Sequence, residues 1–323
     1  MAVLASMRSG PIRKGGSMRP IVLILTTSLA LTGCISGSGG RTIRRNYATY
    51  NHTIHYNQSQ QMLLNLVRMR YRESPLFLKV GAVSTSYNLE VNGGANLGES
   101  FEAPNYGVSA GGSYSERPTV TYTPIEGDTF VKQMLAEVDK HTFILLYRSG
   151  WPIEVLCHVL AEQIGTSVNN LDDETYPEFV ELVERLGKAQ DERRLVGVVV
   201  DEEVFMQIKD EDGGAERMIP LDSLQLRSFV DIMFFLGKNT RVPVENQDQV
   251  KAATQNGWLD IRYSESPPSD AMVWVEHDGY FYSIAKNDIQ SKDTFALLKL
   301  LFELQAGDIE SVQPILTLPL ATP

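Results

Sequence analysis

The sequence predicts an α+β fold in which a helical layer packs with short antiparallel sheets and one long glycine-rich β-hairpin. Apolar residues recur at helical spacing between residues 127 and 191. Apolar and small polar residues alternate with a period of two from Gly81 to Val91 and again from Asn105 to Ser115. Because strands and helices come in blocks rather than in strict alternation, the antiparallel α+β class is favoured.

The first 33 residues have the pattern of a bacterial export signal. An uncharged run from Ile21 to Leu31 follows a segment that carries basic and no acidic residues, namely Arg8, Arg13, Lys14 and Arg19. The run is about eleven residues long, which is short of the roughly twenty that a membrane-spanning helix needs. We therefore expect a cleaved signal peptide and not a permanent anchor helix.

The apolar run ends in Leu31, Thr32, Gly33 and Cys34, which resembles the lipobox of bacterial lipoproteins. The resemblance implies that a signal peptidase recognises residues 31–33 and that the Cys34 thiol carries diacylglycerol or further acyl chains such as palmitate. More than one acyl chain is needed for stable anchoring. The alternative is an ordinary signal peptide followed by a chance cysteine.

The residues after Cys34 predict where the mature protein resides. Residue 35 is isoleucine, whereas an aspartate there would resemble the inner-membrane retention signal of Gram-negative lipoproteins. The run Ser36–Gly40 has the composition of a flexible tether. We expect an outer-membrane lipoprotein that faces the periplasm and reaches the membrane through the lipid on Cys34.

Charge and cysteine content exclude some classes of function. The chain has 29 basic and 40 acidic residues, and the export signal contains four of the basic ones and no acidic one. Such an acidic surface disfavours nucleic-acid binding. Of the two cysteines, Cys157 would remain after lipidation of Cys34, so no intrachain disulfide is expected. The apolar helical surroundings of Cys157 predict a buried, inert thiol.

The predicted organisation has four parts. Residues 1–33 form the signal peptide and residues 34–56 the lipidated N-terminus and tether. Residues 57–193 contain a helix, the long hairpin and the helical layer. Residues 194–323 form an α+β C-terminal part, which either continues the same domain or is separate.

Several elements within these parts have clear patterns. Amphipathic spacing predicts a helix over 57–72, and the two hairpin arms follow at 81–91 and 105–115. Further helices are predicted at the apolar stripes that end near Val138, Tyr147 and Ile164, and over 176–191, 221–238 and 291–305. Strands are predicted at 195–200, 204–209, 272–276, 280–284 and 315–318.

Three segments resemble a group of bacterial hypothetical proteins to which no activity is assigned. They are residues 57–78, with Asn65-Leu66-Val67-Arg68 at their centre, residues 115–124, and residues 291–298. These matches span most of the mature chain. The resemblance implies no catalytic, cofactor-binding or metal-binding residue.

The candidate chemical motifs are weak. His52 and His55 are spaced to share a helix face and to start a zinc site, but no third ligand lies nearby in the sequence. Asp210–Gly214 lacks the distal glutamate of a calcium loop, and Asp172–Glu174 has the pattern of a loop before a helix. Since no hydrolase elbow, phosphate loop or dinucleotide fingerprint occurs, the sequence predicts no catalytic residue, cofactor or metal.

Three functional hypotheses follow. The first is a non-enzymatic scaffold or subunit of a periplasmic or outer-membrane assembly, which binds protein partners or further copies of itself. The second is an oligomeric outer-membrane pore built from the 81–115 hairpin, since each arm has the roughly nine to eleven residues that a membrane strand needs. The third is a periplasmic hydrolase or ligand-binding protein.

The lipobox makes a direct prediction for Cys34→Ser. The variant is expected to incorporate no labelled palmitate and to persist as the unprocessed precursor, because the thiol that accepts the lipid is gone. Labelling of cells followed by mass spectrometry of the chain measures both effects. Cys157→Ser is the control and is expected to keep its label; label on Cys34→Ser would contradict the assignment.

Overall fold

A computed structural model describes residues 38–98, 105–125, 127–200, 203–210, 214–252, 255–306 and 316–319. The lipobox residues Leu31, Thr32, Gly33 and Cys34 lie outside this range. Contacts divide the chain into two units, residues 1–55 and residues 56–323. The second unit contains a continuous hydrophobic core, and the account below concerns that unit except where the first helix begins.

The described residues confirm the α+β class. The helices are α1 Ser38–Arg70, α2 Asp128–Leu135, α3 Lys140–Arg148, α4 Ile153–Leu160, α5 Tyr176–Asp191, α6 Phe229–Gly237 and α7 Ile289–Ala306. The longer strands are β1 Leu78–Gly98, β2 Asn105–Pro124, β5 Leu195–Val200, β6 Glu203–Lys209, β7 Ala215–Pro220, β10 Ala271–His277 and β11 Tyr280–Ala285. The short strands are β3 Ala161–Ile164, β4 Ser167–Val168, β8 Leu224–Leu226, β9 Arg262–Ser264 and β12 Leu316–Pro319. All strand pairs in the four sheets are antiparallel.

Helix α1 begins at Ser38, well before the predicted start at residue 57, so the helix extends through most of the segment 34–56 that was assigned to the N-terminus and tether. No glycine or proline interrupts the sequence from residue 41 to residue 74, and nothing therefore stops the helix. It ends in a Schellman turn, in which Arg72 has a left-handed φ of 63°. Glu73 N donates to Arg68 O and Arg72 N donates to Met69 O.

The glycine-rich hairpin is longer than predicted. β1 and β2 remain paired from Leu78 and Pro124 out to Gly98 and Asn105, with one irregularity between Val80 and Ala82. Val120, Thr121 and Thr123 at its base are buried, and β12 pairs with β2 there. The predicted C-terminal strand is thus present as Leu316–Pro319, next to the hairpin base.

Two predicted helices are wrong in part. The stripe through Ile164 is helical only to Leu160, because Ala161–Ile164 pairs with β8 as strand β3. The predicted helix over 221–238 begins only at Phe229, since Leu224 and Leu226 are buried on alternate positions of β8. Ser228 caps the helix, and its Oγ accepts from Asp231 N at 3.1 Å.

The C-terminal hairpin is confirmed. β10 and β11 are joined by Asp278 and Gly279, whose φ angles of 49° and 79° match the turn type that suits a two-residue loop. Asp210–Gly214 likewise connects the paired strands β6 and β7. Within the described residues, no helix is long and apolar enough to cross a membrane.

Candidate functional site

A cavity of about 700 Å³ opens at the C-terminal end of α1. Four parts of the chain form its wall: residues 69–70 with 72–75, residues 170–172, residues 234–235 with 237–238, and Lys251, Ala252 and Asn256. Its volume lies within the range of small-molecule sites, roughly 300 to 1,000 Å³.

The charged residues of the cavity differ in balance from the rest of the chain. Four cationic side chains line it, those of Arg70, Arg72, Lys238 and Lys251, beside two carboxylates. The whole chain has a net charge of −11. The cavity is therefore a basic site on an acidic protein, and its field favours anions.

Local backbone geometry positions these cations. The Schellman turn after α1 places Arg72 and Glu73 on the rim. Gly237 allows α6 to approach α1 closely, since a Cβ there would lie 3.3 Å from Leu66 O. Asn256 is held in the wall by two hydrogen bonds, in which its backbone N donates to Asn239 Oδ1 at 2.8 Å and its Nδ2 donates to Phe235 O at 3.2 Å.

A potential metal-ligand group includes Glu73, which also lines the cavity. Glu73, His277 and Asp278 offer ligand atoms that all lie within 4.8 Å of one another. His277 Nε2 is buried and lies 3.5 Å from Glu73 Oε1 and 3.9 Å from Asp278 Oδ2. An imidazole and two carboxylates can supply three ligands to a divalent cation, and without one they form an ion pair when His277 is protonated.

Two tyrosines pack against His277 from the interior. The hydroxyl groups of Tyr71 and Tyr282 lie 2.6 Å apart in the interior. The His277 ring packs edge-on against Tyr71 at 5.1 Å between ring centroids. Burial and the hydrogen bond to Tyr71 raise the pKa of Tyr282. A hydrogen bond between two tyrosine hydroxyls thus joins the end of α1 to the β10–β11 hairpin.

A buried arginine positions the opposite wall of the cavity. Arg227 is 6% exposed, and its Nη1 donates to Ala161 O at 2.5 Å and more weakly to the carbonyls of His158 and Val159. Its Nη2 donates to Asn169 O at 2.9 Å. These contacts satisfy carbonyls that the end of α4 leaves without helical partners.

Asn169 completes this cap. Its Nδ2 donates to His158 O at 2.9 Å and to Ala161 O at 2.8 Å. The next three residues, 170–172, line the cavity. The Arg227 guanidinium also lies 3.9 Å above the ring of Phe235, which lines the cavity too. One buried cation therefore holds two of the four wall segments.

His158 is a packed histidine and not a ligand. Its ring stacks on Trp258 with centroids 4.2 Å apart and meets the edge of Phe179. Burial first, and the charge of Arg227 second, lower the pKa of His158 to about 4. The imidazole is therefore neutral at physiological pH.

The residues that the sequence singled out are not brought together. His52 and His55 are exposed on α1, and Asp172–Glu174 does lie in the loop before α5. Cys157 is 1% exposed, and burial raises the pKa of its thiol to about 12, so the predicted inert thiol is confirmed. The sequence analysis missed the cavity cations and Arg227. Arg227 could have been noticed in the sequence, because it is the one arginine within the mainly apolar run 224–236.

No family model matches this chain, and no curated protein or solved structure is significantly similar to it.

The lowered pKa of His158 predicts a loss of stability in acid. The unfolded state takes up a proton below about pH 6.5 and the folded state only near pH 4, so the free energy of unfolding falls as the pH decreases between these values. The loss from this group is about 2 to 3 kcal/mol. Urea unfolding of the wild type and of His158→Phe at pH 7 and pH 4.5 measures it.

His158→Phe is expected to lose less stability than the wild type over this range, because the acid-titrating group is absent. His141→Gln, which changes an exposed histidine, is the control and is expected to follow the wild type. Equal losses in all three proteins would contradict the assignment.

Proposed function

We propose that this chain is a lipid-anchored protein of the bacterial cell envelope and serves as a subunit of an assembly, in which it pairs with a second copy through the β1–β2 ribbon. The observation that carries the proposal is the ribbon's outer edge. β1 pairs with β2 and with no other described strand. In the part of the chain that the structure describes, β12 pairs with the far side of β2 only over Thr119–Tyr122.

The length of the free edge supports pairing. β1 has 21 residues, which at about 3.3 Å per residue corresponds to about 70 Å. A strand at the edge of a sheet presents a row of backbone N–H and C=O groups that another strand can bind. A two-stranded ribbon is also marginally stable alone in water. Pairing with further strands stabilises such a ribbon.

The sequence of the ribbon lacks the usual protection of an exposed edge. Proteins commonly block edge strands with charged residues or proline. From Val80 to Gly98 and from Asn105 to Ser115 the two strands contain one charged residue, Glu90, and no proline. The other charged residues of the two strands, Lys79, Glu116 and Arg117, and the prolines Pro118 and Pro124 lie in the half of the ribbon nearer its base. The outer half therefore has little to oppose association with another strand.

A second copy is the partner that the chain itself supplies. Two β1 edges related by a two-fold axis are self-complementary, and homo-oligomers most often have this symmetry. A lipid on Cys34 would confine all copies to one membrane surface, which raises their effective concentration.

A pore is the second candidate, favoured by the length of the strands. Each strand is about twice the roughly nine to eleven residues needed to cross a bilayer. Several ribbons joined side by side would close into a barrel without free edges. Both candidates require edge pairing between copies. They differ in whether the paired ribbons enter the membrane.

Shortening the ribbon tests the proposal. Ser86 and Arg117 face each other, so residues 87–116 can be replaced by an Asn-Gly turn that retains the buried base. In nonionic detergent, light scattering is expected to give a dimer or larger oligomer for the full chain and a monomer for the shortened variant. Equal thermal unfolding midpoints would show that the body is intact.

A monomeric full chain, or an oligomer that survives the shortening, would contradict the proposal. Dye release from phospholipid vesicles separates the two candidates. The assembly subunit is expected to leave vesicles sealed. Leakage that occurs with the full chain and is lost in the shortened variant would identify the pore instead.

A further inference from the structure

We propose that the cavity at the end of α1 binds the phosphate group of a small organic ligand. The inference concerns the body of the protein and does not depend on how the ribbon associates. It rests on the set of cations in the cavity, on their lack of ion-pair partners among the described residues, and on the apolar surface beside them.

The cations of the cavity are not neutralised by the described part of the chain. Within it, none of Arg70, Arg72, Lys238 and Lys251 forms a side-chain ion pair. Of the two carboxylates in the wall, Glu73 lies against His277 at 3.5 Å. Like charges gathered at one concave surface repel one another, and a bound anion would relieve that repulsion.

Among the four cations, Arg70 gives the clearest indication of an anion site. Its Nη1 donates to Lys251 O at 2.8 Å, whereas its Nε is buried without a hydrogen-bond partner. Desolvation by burial lowers the pKa of this guanidinium, and such a cost is usually offset by a charged partner. This contact joins Arg70 to the backbone of Lys251, and both residues line the cavity.

The helix end does not supply the missing negative charge in full. The C-terminal carbonyls of a helix carry partial negative charge, but the Schellman turn engages two of them, those of Arg68 and Met69, with backbone N–H donors. An external anion is therefore the fitting partner for the guanidinium.

The cavity favours a phosphate that is attached to an apolar group. A phosphate carries about −1.5 to −2 charges and three strong acceptor oxygens, which suits several cations better than a single carboxylate does. Apolar side chains also line the cavity, among them Met69, Leu171 and Phe234. Phe234 is 51% exposed, so it is available for contact with the rest of a ligand.

Two sources share this chemistry, a soluble phosphate ester and the headgroup of an anionic phospholipid. Phenyl phosphate represents the first and dihexanoyl phosphatidic acid the second. Phenol and dihexanoylglycerol are their uncharged counterparts. Calorimetric titration of the full chain in nonionic detergent is expected to show binding of at least one phosphate probe, weakened by added salt, and no comparable binding of the uncharged ones.

The double variant Lys238→Gln/Lys251→Gln is expected to lower the affinity for the phosphate probe by about 10- to 100-fold, because two charge-assisted contacts are lost. Lys132→Gln/Lys286→Gln removes two exposed lysines outside the cavity and is expected to leave binding unchanged. The probe that binds more tightly identifies the source. Binding equal to that of the uncharged probes, or equal effects of the two double variants, would overturn the proposal.

Discussion

Arg227 carries a positive charge into the interior and joins four segments that lie between residues 138 and 235. Its guanidinium contacts carbonyls at the end of α4, the Asn169 loop and the ring of Phe235, while its backbone accepts from Val138 N at 3.1 Å. Burial lowers its pKa to about 10, so it stays charged at neutral pH. Such a charge is tolerated because these carbonyls replace the water that it loses.

The shape of the cavity follows from this contact. Because α4 stops at Leu160, the chain can pair β3 with β8 and then turn back through Asn169. The residues after Asn169 form one wall, and α6, held at Phe235, forms the next. The cations of α1 complete the site from the opposite side. A structural arginine thus positions a surface on which other arginines and lysines remain without ion-pair partners in the described residues.

Sequence patterns predicted what depends on near neighbours in the chain. The α2, α5 and α7 helices, the β10–β11 turn and the buried Cys157 all follow from local spacing. The predicted secondary structure was wrong where pairing with another part of the chain determines whether a segment is a helix or a strand. Ile164 and Leu224 continue helical patterns but pair with each other as strands, and the cavity gathers residues from positions 69 to 256. No local period contains that information.

The claim that Arg227 organises the fold is tested most directly by Arg227→Lys, which keeps the charge but loses the planar set of donors. Urea unfolding is expected to show a loss of about 3 kcal/mol, since several buried carbonyls lose their donors. Arg241→Lys, at an exposed ion pair with Asp260, is expected to lose less than about 1 kcal/mol. Equal, small losses in the two variants would contradict the account.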